Sequence, residues 1–514
     1  MTLENTGIYA IALSGILLSF FIAAYLLPWF LSITESLSIF AARNFTYTFL
    51  LSRYRWIGPW TAAAVVLQSA YIIANFFCVL FRVSSLLEAA IRAGRLSLIN
   101  AMPLFLSPHL SFLADLFGMP IRTFRKIHGS SGAMSSGLLL FHVVVMMLLG
   151  KTQDLYVSLG ALSLVIIPFL SISILRRAFY EVFLRSHQAL AIYVAYSIWR
   201  HLWFVPGFPW FYVYLYGGAA CLVNLVQLGI MTYRNKKWGS PLPRLLLGQD
   251  GGGICMTVEL SRPVRIEAGQ YINLWIWAPR ISLWSWMQSH PFTVASWSPT
   301  EQTSLEIIVE PHSGLSSKLV QTSALTKTGD DGSSSYVAVF TGPHGISFPL
   351  WGFKTVVMFA TGFGIAVMLP YLEKLIHGHK TFRGRANRIH LVWNVQNLTG
   401  FKRVVHLLNH HLEDDAIGKG YILRISIYIE SGVKEEEFGD HGRAAFFMGA
   451  PDLRKILKAE ENGDFIQQTE KDTIGNGVVS LVSGTDQLRD RLRGLVRSYL
   501  HKRMELKELD YQPR

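Results

Sequence analysis

Residues 128–142 read HGSSGAMSSGLLLFH, and residues 187–201 read HQALAIYVAYSIWRH. In each stretch two histidines, His128 with His142 and His187 with His201, are separated by thirteen apolar or small residues for the most part. If each stretch is one helix, fourteen steps at about 1.5 Å and about 100° carry the second histidine roughly 21 Å along the axis, about 40° short of its starting azimuth. Both histidines of a pair then face one way, at opposite depths of a membrane-length segment. Taken singly, a histidine in an apolar stretch is most often a hydrogen-bonded core or interfacial residue. Four in a repeated spacing point elsewhere, because ionisable groups in membrane helices are costly and usually functional. Two parallel helices of this design would clamp two haems, one in each leaflet, with neutral imidazoles as axial ligands.

The rest of the first half has the composition such helices need. The chain has 514 residues, of which 13% are aromatic and 16% charged, a balance that points to several domains and to a bilayer. Candidate spans fall at roughly 9–31, 60–82, 98–118, 131–149, 155–175, 182–204 and 209–231, each near the length that crosses about 30 Å of hydrocarbon. His109 and Asp115 interrupt the third. The N-terminus carries Glu4 in place of a basic run, so the first stretch reads as a retained helix, not a cleaved signal. Cys78, Cys221 and Cys255 offer neither a disulfide framework nor a spaced metal site.

A net charge of +13 has two readings, nucleic acid or membrane topology, and its distribution favours the second. Arg122, Arg125 and Lys126 precede the fourth span, Arg176, Arg177 and Arg185 lie between the fifth and sixth, and Arg234, Lys236 and Lys237 follow the seventh. All three clusters fall on one side, which puts residues from about 235 onward in the cytoplasm and the N-terminus outside. Arg82, Arg92 and Arg95 fall on the other side. With the fourth and sixth spans running in the same direction, His128 pairs with His187 at the inner depth and His142 with His201 at the outer one. Asn44-Phe45-Thr46 matches a glycosylation acceptor but lies on the cytoplasmic side in this topology.

After Lys237 the pattern changes to short alternating strands broken by Gly and Pro, which reads as a small β-barrel. Gly269 to Trp275 and Ser304 to Val309 are strand-like, and Gly248 to Gly253 reads as a flexible turn. From about 351 apolar strands alternate with helical stretches. Trp351–Phe359, Ile389–Trp393, Ile422–Ile427 and Val478–Ser483 are expected to form a parallel sheet. In the segment His290-Pro291-Phe292-Thr293 an extended backbone offers a hydroxyl beside a flavin edge, or is an ordinary strand entry. In Thr361-Gly362-Phe363-Gly364 two glycines lie between a buried strand and a helix, where backbone N–H groups and the helix dipole favour a pyrophosphate. Such turns also use glycine for geometry alone.

Over roughly residues 60–495 the sequence resembles the ferric reductase family of fungal transmembrane metalloreductases, relatives of the superoxide-generating NADPH oxidases. The resemblance rests on the four spaced histidines, on Arg176 to His187 as the entry to the second haem helix, and on the two short motifs just quoted. It implies a multi-domain membrane protein: a helical haem domain, then a ferredoxin-reductase-like β-barrel for FAD and an α/β NAD(P)-binding domain. The corresponding boundaries are 1–59 for an N-terminal helix and loop, 60–234, 235–350 and 351–514. It also implies a pathway from NADPH to FAD, the inner haem b, the outer haem b and an extracytoplasmic Fe(III) chelate. His128, His142, His187 and His201 would bind the haem irons, while His290, Pro291, Phe292 and Thr293 would contact FAD, with Thr293 near its reactive edge. Thr361, Gly362, Phe363 and Gly364 would hold the NADPH phosphates. Thr341 to Gly345 resembles the segment closing the flavin domain, and reads equally as a plain turn. The implied setting is a lipid bilayer, that of the plasma membrane or of the vacuole, with a ferric chelate, or Cu(II) in its place, as substrate and no nucleic acid.

The chain departs from the family pattern at three places. Ser483-Gly484-Thr485 stands where a Cys-Gly-Pro is usual beside the nicotinamide, which makes Ser483 the residue expected there. Gly449-Ala450-Pro451 replaces Gly-Arg-Pro and weakens the preference for NADPH over NADH. The usual C-terminal aromatic is missing, with Tyr511 as its nearest substitute. A superoxide-producing oxidase would share nearly every one of these sites. The thirteen-residue interval in both pairs favours the reductase, since the oxidases typically shorten the second by one. A haem-free transporter with a cytoplasmic regulatory domain is the reading from a different class.

Overall fold

The computed structural model describes residues 5–33, 35–54, 58–106, 109–151, 154–172, 180–205, 210–247, 255–278, 285, 288–311, 317–319, 321, 335–381, 386–398, 400–415, 421–431, 442–462, 476–500 and 504–511. Arg176, Arg177 and the glycines of 248–253 therefore lie outside the described residues. The chain divides into two compact units, Met1–Gln227 and Leu228–Arg514.

The first unit is helical. Helices α1 (Asn5–Ile33), α2 (Glu35–Ala41), α3 (Ala62–Leu80), α4 (Leu86–Phe105) and α5 (Leu110–Leu116) precede α6 (Ile121–Leu148), α7 (Leu155–Leu170), α8 (Tyr180–Trp203) and α9 (Phe211–Asn235), the last continuing into the second unit. A two-stranded antiparallel pair, β1 (Phe49–Leu51) and β2 (Trp60–Thr61), lies before α3. Polar side chains set the helix starts. Thr61 accepts from Ala64 N at 3.2 Å, and Ser85 accepts from Glu88 N at 3.2 Å while Glu88 Oε2 reaches back to Ser84 N at 2.9 Å. Asp154 caps α7 and also receives Arg200 of α8 at 2.9 Å.

Among the described residues three helices are long and apolar enough to cross a membrane, Ala62–Leu80, Ile121–Leu148 and Val213–Asn235, with shorter apolar helices at Thr6–Phe20 and Leu155–Leu170. The chain is a membrane protein. The third expected span, 98–118, is corrected: α4 begins at Leu86 and ends at Phe105, and α5 is a separate short helix. The early start is possible because Arg92 is neutralised where it lies, by Glu88 at 2.5 Å and by the Phe81 carbonyl at 2.6 Å. The fourth span likewise begins earlier than 131, at Ile121, and takes in His128.

Small polar side chains join these helices. Ser97 Oγ donates to the Ser135 carbonyl at 2.8 Å and Ser135 Oγ to the Ser97 carbonyl at 2.9 Å, a reciprocal clasp of α4 on α6. Ser136 Oγ donates to the Leu164 carbonyl at 2.8 Å, joining α6 to α7. Asn75 and Asn100 pair at 2.7 Å, and Tyr9 and Tyr71 donate to them. Each buried polar group gains a partner that lipid does not supply.

The second unit opens with a six-stranded antiparallel barrel of β3 (Arg244–Leu247), β4 (Cys255–Val264), β5 (Tyr271–Trp277), β6 (Ser289–Thr293), β7 (Gln302–Ile308) and β8 (Ser335–His344). Its order is β6-β5-β8-β3-β4-β7, and a bridge between Val294 and Ile307 joins the two ends. Period-two alternation turns Ile272, Leu274 and Ile276 of β5 into the core with Val258, Leu305 and Phe340. A parallel sheet follows: β9 (Phe353–Thr361), β10 (Arg388–Val395), β11 (Leu423–Ile429), β12 (Ala444–Met448), β13 (Asn476–Ser483) and β14 (Met504–Glu508), ordered β12-β11-β10-β9-β13-β14. Helices α10 (Ile365–Lys380), α11 (Lys402–Asp414), α12 (Leu453–Asn462) and α13 (Asp486–Tyr499) connect its strands. The strand order reverses at β9, so a crevice opens at the carboxyl ends of β9 and β13.

Candidate functional site

The two histidine stretches do form single helices, and the helices bring their histidines together in pairs. His128 of α6 and His187 of α8 have ring centres 6.1 Å apart, and His142 and His201 6.5 Å apart. An imidazole–metal bond is about 2 Å and half a ring adds about 1 Å on each side, so two imidazoles on one iron stand roughly 6 Å apart between centres. Both pairs therefore have the room that a bis-histidine iron requires. In the first pair, Nδ1 of His128 and Nδ1 of His187 are buried with no hydrogen-bond partner among the described residues.

The candidate flavin residues lie on β6, beside β5. Thr293 stands opposite Tyr271, Phe292 opposite Ile272, Pro291 opposite Asn273 and His290 opposite Leu274. Phe292 points into the barrel core. Thr293 is 1% exposed, and its hydroxyl donates to the Tyr511 carbonyl. The Tyr511 hydroxyl in turn donates to Glu310. The C-terminal segment thus reaches the residue expected at the flavin edge, a contact that sequence reading left open because it spans 218 positions. Thr341 to Gly345 closes β8 against the same strand, with the rings of His344 and Tyr271 5.7 Å apart.

The candidate nucleotide residues meet at the crevice. Gly362–Gly364 forms a single tight turn between β9 and α10, so its backbone N–H groups lead directly into a helix N-terminus. Thr361 Oγ1 accepts from Thr485 N at 2.8 Å, tying the two loops together. The fit is close: a Cβ on Gly364 would enter the Ser483 carbonyl, and one on Gly484, whose φ is +141°, would enter Thr361. Trp393 Nε1 donates to the Gly362 carbonyl at 2.9 Å and holds the turn from below. Ser483 is fully buried, and its hydroxyl has no partner among the described residues. An unsatisfied buried donor at such a crevice suits a polar ligand group.

Barrel and sheet are joined by residues the sequence did not flag. Lys374 of α10 meets Glu267 at 2.6 Å, and the Tyr371 hydroxyl accepts from Phe348 N at 3.0 Å beneath Gly269. Burial pushes the Tyr371 phenol up to about 12, so it stays neutral.

Comparison with known proteins matches three segments in chain order. Residues 93–198 match the ferric reductase like transmembrane component, 252–347 an FAD-binding domain and 353–497 the ferric reductase NAD binding domain. Ferric/cupric reductase transmembrane component 2 of Saccharomyces cerevisiae is 31% identical over 209 residues, 40% of this chain and 27% of its own length. Ferric reductase transmembrane component 5 of the same yeast is 26% identical over 342 residues, 66% of this chain and 45% of its own length. The matched stretches thus span less than half of these relatives. A flavohemoglobin from Malassezia yamatoensis aligns over 83% of this chain and 99% of its own at 12% identity, with a TM-score of 0.38.

Proposed function

The chain belongs to the ferric reductase family, and from that premise we propose that it is a transmembrane ferric-chelate reductase. In this reading it takes electrons from cytosolic NADPH and delivers them, through FAD and two b-type haems, to extracytoplasmic Fe(III) for iron uptake. The observation that carries the reading is the double pairing of histidines across α6 and α8, at 6.1 and 6.5 Å.

Each part of the chain has its task. When bound, the flavin accepts an electron pair as hydride and gives electrons up singly, which lets a two-electron donor serve one-electron carriers. The backbone N–H groups of Gly362, Phe363 and Gly364, with Thr361, hold the donor's phosphates at the head of α10. Ser483 offers its free hydroxyl to the nicotinamide. His290, Pro291, Phe292 and Thr293 support the flavin, Phe292 from within the core and Thr293 at the ring edge. His128 with His187 holds the inner haem, and His142 with His201 the outer. All four side chains must be neutral to donate a lone pair, a state that their apolar helices favour.

The orientation follows the chain's charge pattern, and the membrane and the divisions follow the family resemblance. Residues from about 235 onward lie in the cytoplasm, and the multi-pass helices sit in the plasma membrane. The functional divisions are 60–234 for haem, 235–350 for FAD and 351–514 for NADPH. Membranes carrying the protein and supplied with NADPH are expected to reduce a ferric chelate whether or not superoxide dismutase is present. Strong inhibition by dismutase would make oxygen the acceptor and the protein an oxidase. NADH run in parallel measures donor choice, and Ala450→Arg measures what residue 450 contributes to it.

A further inference from the structure

Helix α4 carries a run of small buried residues, Ala89, Ala90 and Ala93, followed by Gly94, and it packs along α6. The ring of His142 lies against the end of that run. A Cβ added to Gly94 would stand 2.9 Å from His142 Nδ1 and 3.2 Å from both Cε1 and Cγ, so the imidazole fills the space a side chain at 94 would need. One helical turn earlier, the Ala90 carbonyl lies 2.8 Å from the same Nδ1. A carbonyl can only accept, so Nδ1 carries the hydrogen and Nε2 keeps its lone pair. That tautomer, with the second ring nitrogen donating to a carbonyl, is the arrangement that orients a metal-binding histidine and strengthens it as a ligand.

The other pair lacks this support: Nδ1 of His128 and of His187 has no hydrogen-bond partner among the described residues. Small residues in membrane helices often serve only to let two backbones approach. Here the three atoms nearest the missing side chain all belong to one imidazole. Glycine is also disfavoured inside a helix relative to alanine, so its presence at this contact calls for a reason.

We propose that Gly94 and the Ala90 carbonyl together form a positioning site for His142, so that the haem of the His142–His201 pair, and not that of the His128–His187 pair, depends on residue 94 having no side chain. The proposal rests on the haem reading above. Gly94→Ala presses a methyl group into the ring, breaks its bond to Ala90 and turns Nε2 away from the position in which it would hold the haem. The neighbouring pair is untouched.

The test uses the purified full-length chain and reads haem per protein, the reduced-minus-oxidised spectrum and the low-spin ferric signals, none of which needs turnover. Gly94→Ala is expected to halve haem content, losing the signal that His142→Ala loses and keeping the one that His187→Ala loses. Gly137→Ala, where an added Cβ meets nothing within 4 Å, serves as the control and keeps both haems. A Gly94→Ala protein with both haems and an unaltered spectrum would overturn the proposal. Loss of both haems together would overturn it too, because it would mark Gly94 as a general packing residue. If the unaltered chain binds no haem, the functional reading fails first and the proposal falls with it, a result the wild-type sample alone reveals.

Discussion

The two units of this protein both bury an apolar core, which in the helical unit includes Leu96 and Leu113, but they differ in what else they bury and in what they turn outward. In the helical unit Asn75 and Ser135 are 0% exposed, while Leu67 is 70% and Ile192 73% exposed. In the second unit Ile272, Leu274, Ile276 and Trp393 are all 0% exposed. The same burial rule operates in two solvents. Against lipid, apolar side chains gain little by turning inward, so amides, hydroxyls and imidazoles that satisfy one another share the interior with them. Against water, the core is mostly apolar, and the candidate site residues stand where strands end: Thr293 closes β6, Thr361 closes β9 and Ser483 closes β13. In the proposed reading one unit therefore holds its site residues deep between helices and the other holds them at the rim of a sheet.

The comparison can be broken most severely at the histidines. His187→Ala or His201→Ala is expected to remove one haem each and to abolish electron flux to a ferric chelate, while FAD content stays unchanged; haem and flavin stoichiometry on the same sample checks both halves. Next is the apolar core. Leu274→Ala should cost about 2–5 kcal/mol of the second unit's stability, read by denaturant unfolding, with haem spectra unaltered. A smaller loss follows at the rim. Gly484→Ala forces a Cβ into Thr361 from a φ of +141°, a strain of roughly 1–3 kcal/mol. It is expected to raise KM for NADPH and leave flavin bound. Last is a pH effect confined to the water-facing unit. Burial holds His411 at about 4, against an ordinary 6.5. The folded state keeps it neutral where the unfolded chain takes up a proton, so its stabilising contribution is complete above about 6.5 and is lost as pH falls through about 4. His411→Gln should flatten the acid side of the stability profile.

Much of this was legible because the signals were local. The interval of thirteen residues needed only helical geometry to place two histidines on one face, and β5, β7, β10, β11 and β13 showed themselves by alternation or by short apolar runs. The features that escaped depend on partners far away in sequence. Arg92 fell between two expected spans, but Glu88 and the Phe81 carbonyl neutralise it within a helix. Strand β14, Met504–Glu508, is rich in charge and shows its period of two only through the burial of Met504 and Leu506. Ala90 and Gly94 are ordinary helix residues until His142, 52 positions on from Ala90, is laid against them. Tyr511 was the one aromatic near the C-terminus, and only the fold brings its carbonyl to Thr293.

The central claim is that two histidine pairs hold two haems in line between a cytosolic donor and an iron acceptor. Its most direct test is a reduced-minus-oxidised spectrum of the purified full-length protein, recorded with NADPH and then after adding a ferric chelate. The account predicts a b-type signal with two haems per chain that NADPH develops and the chelate discharges. A protein that shows no b-type signal, or one that NADPH reduces but ferric iron does not reoxidise, would contradict it.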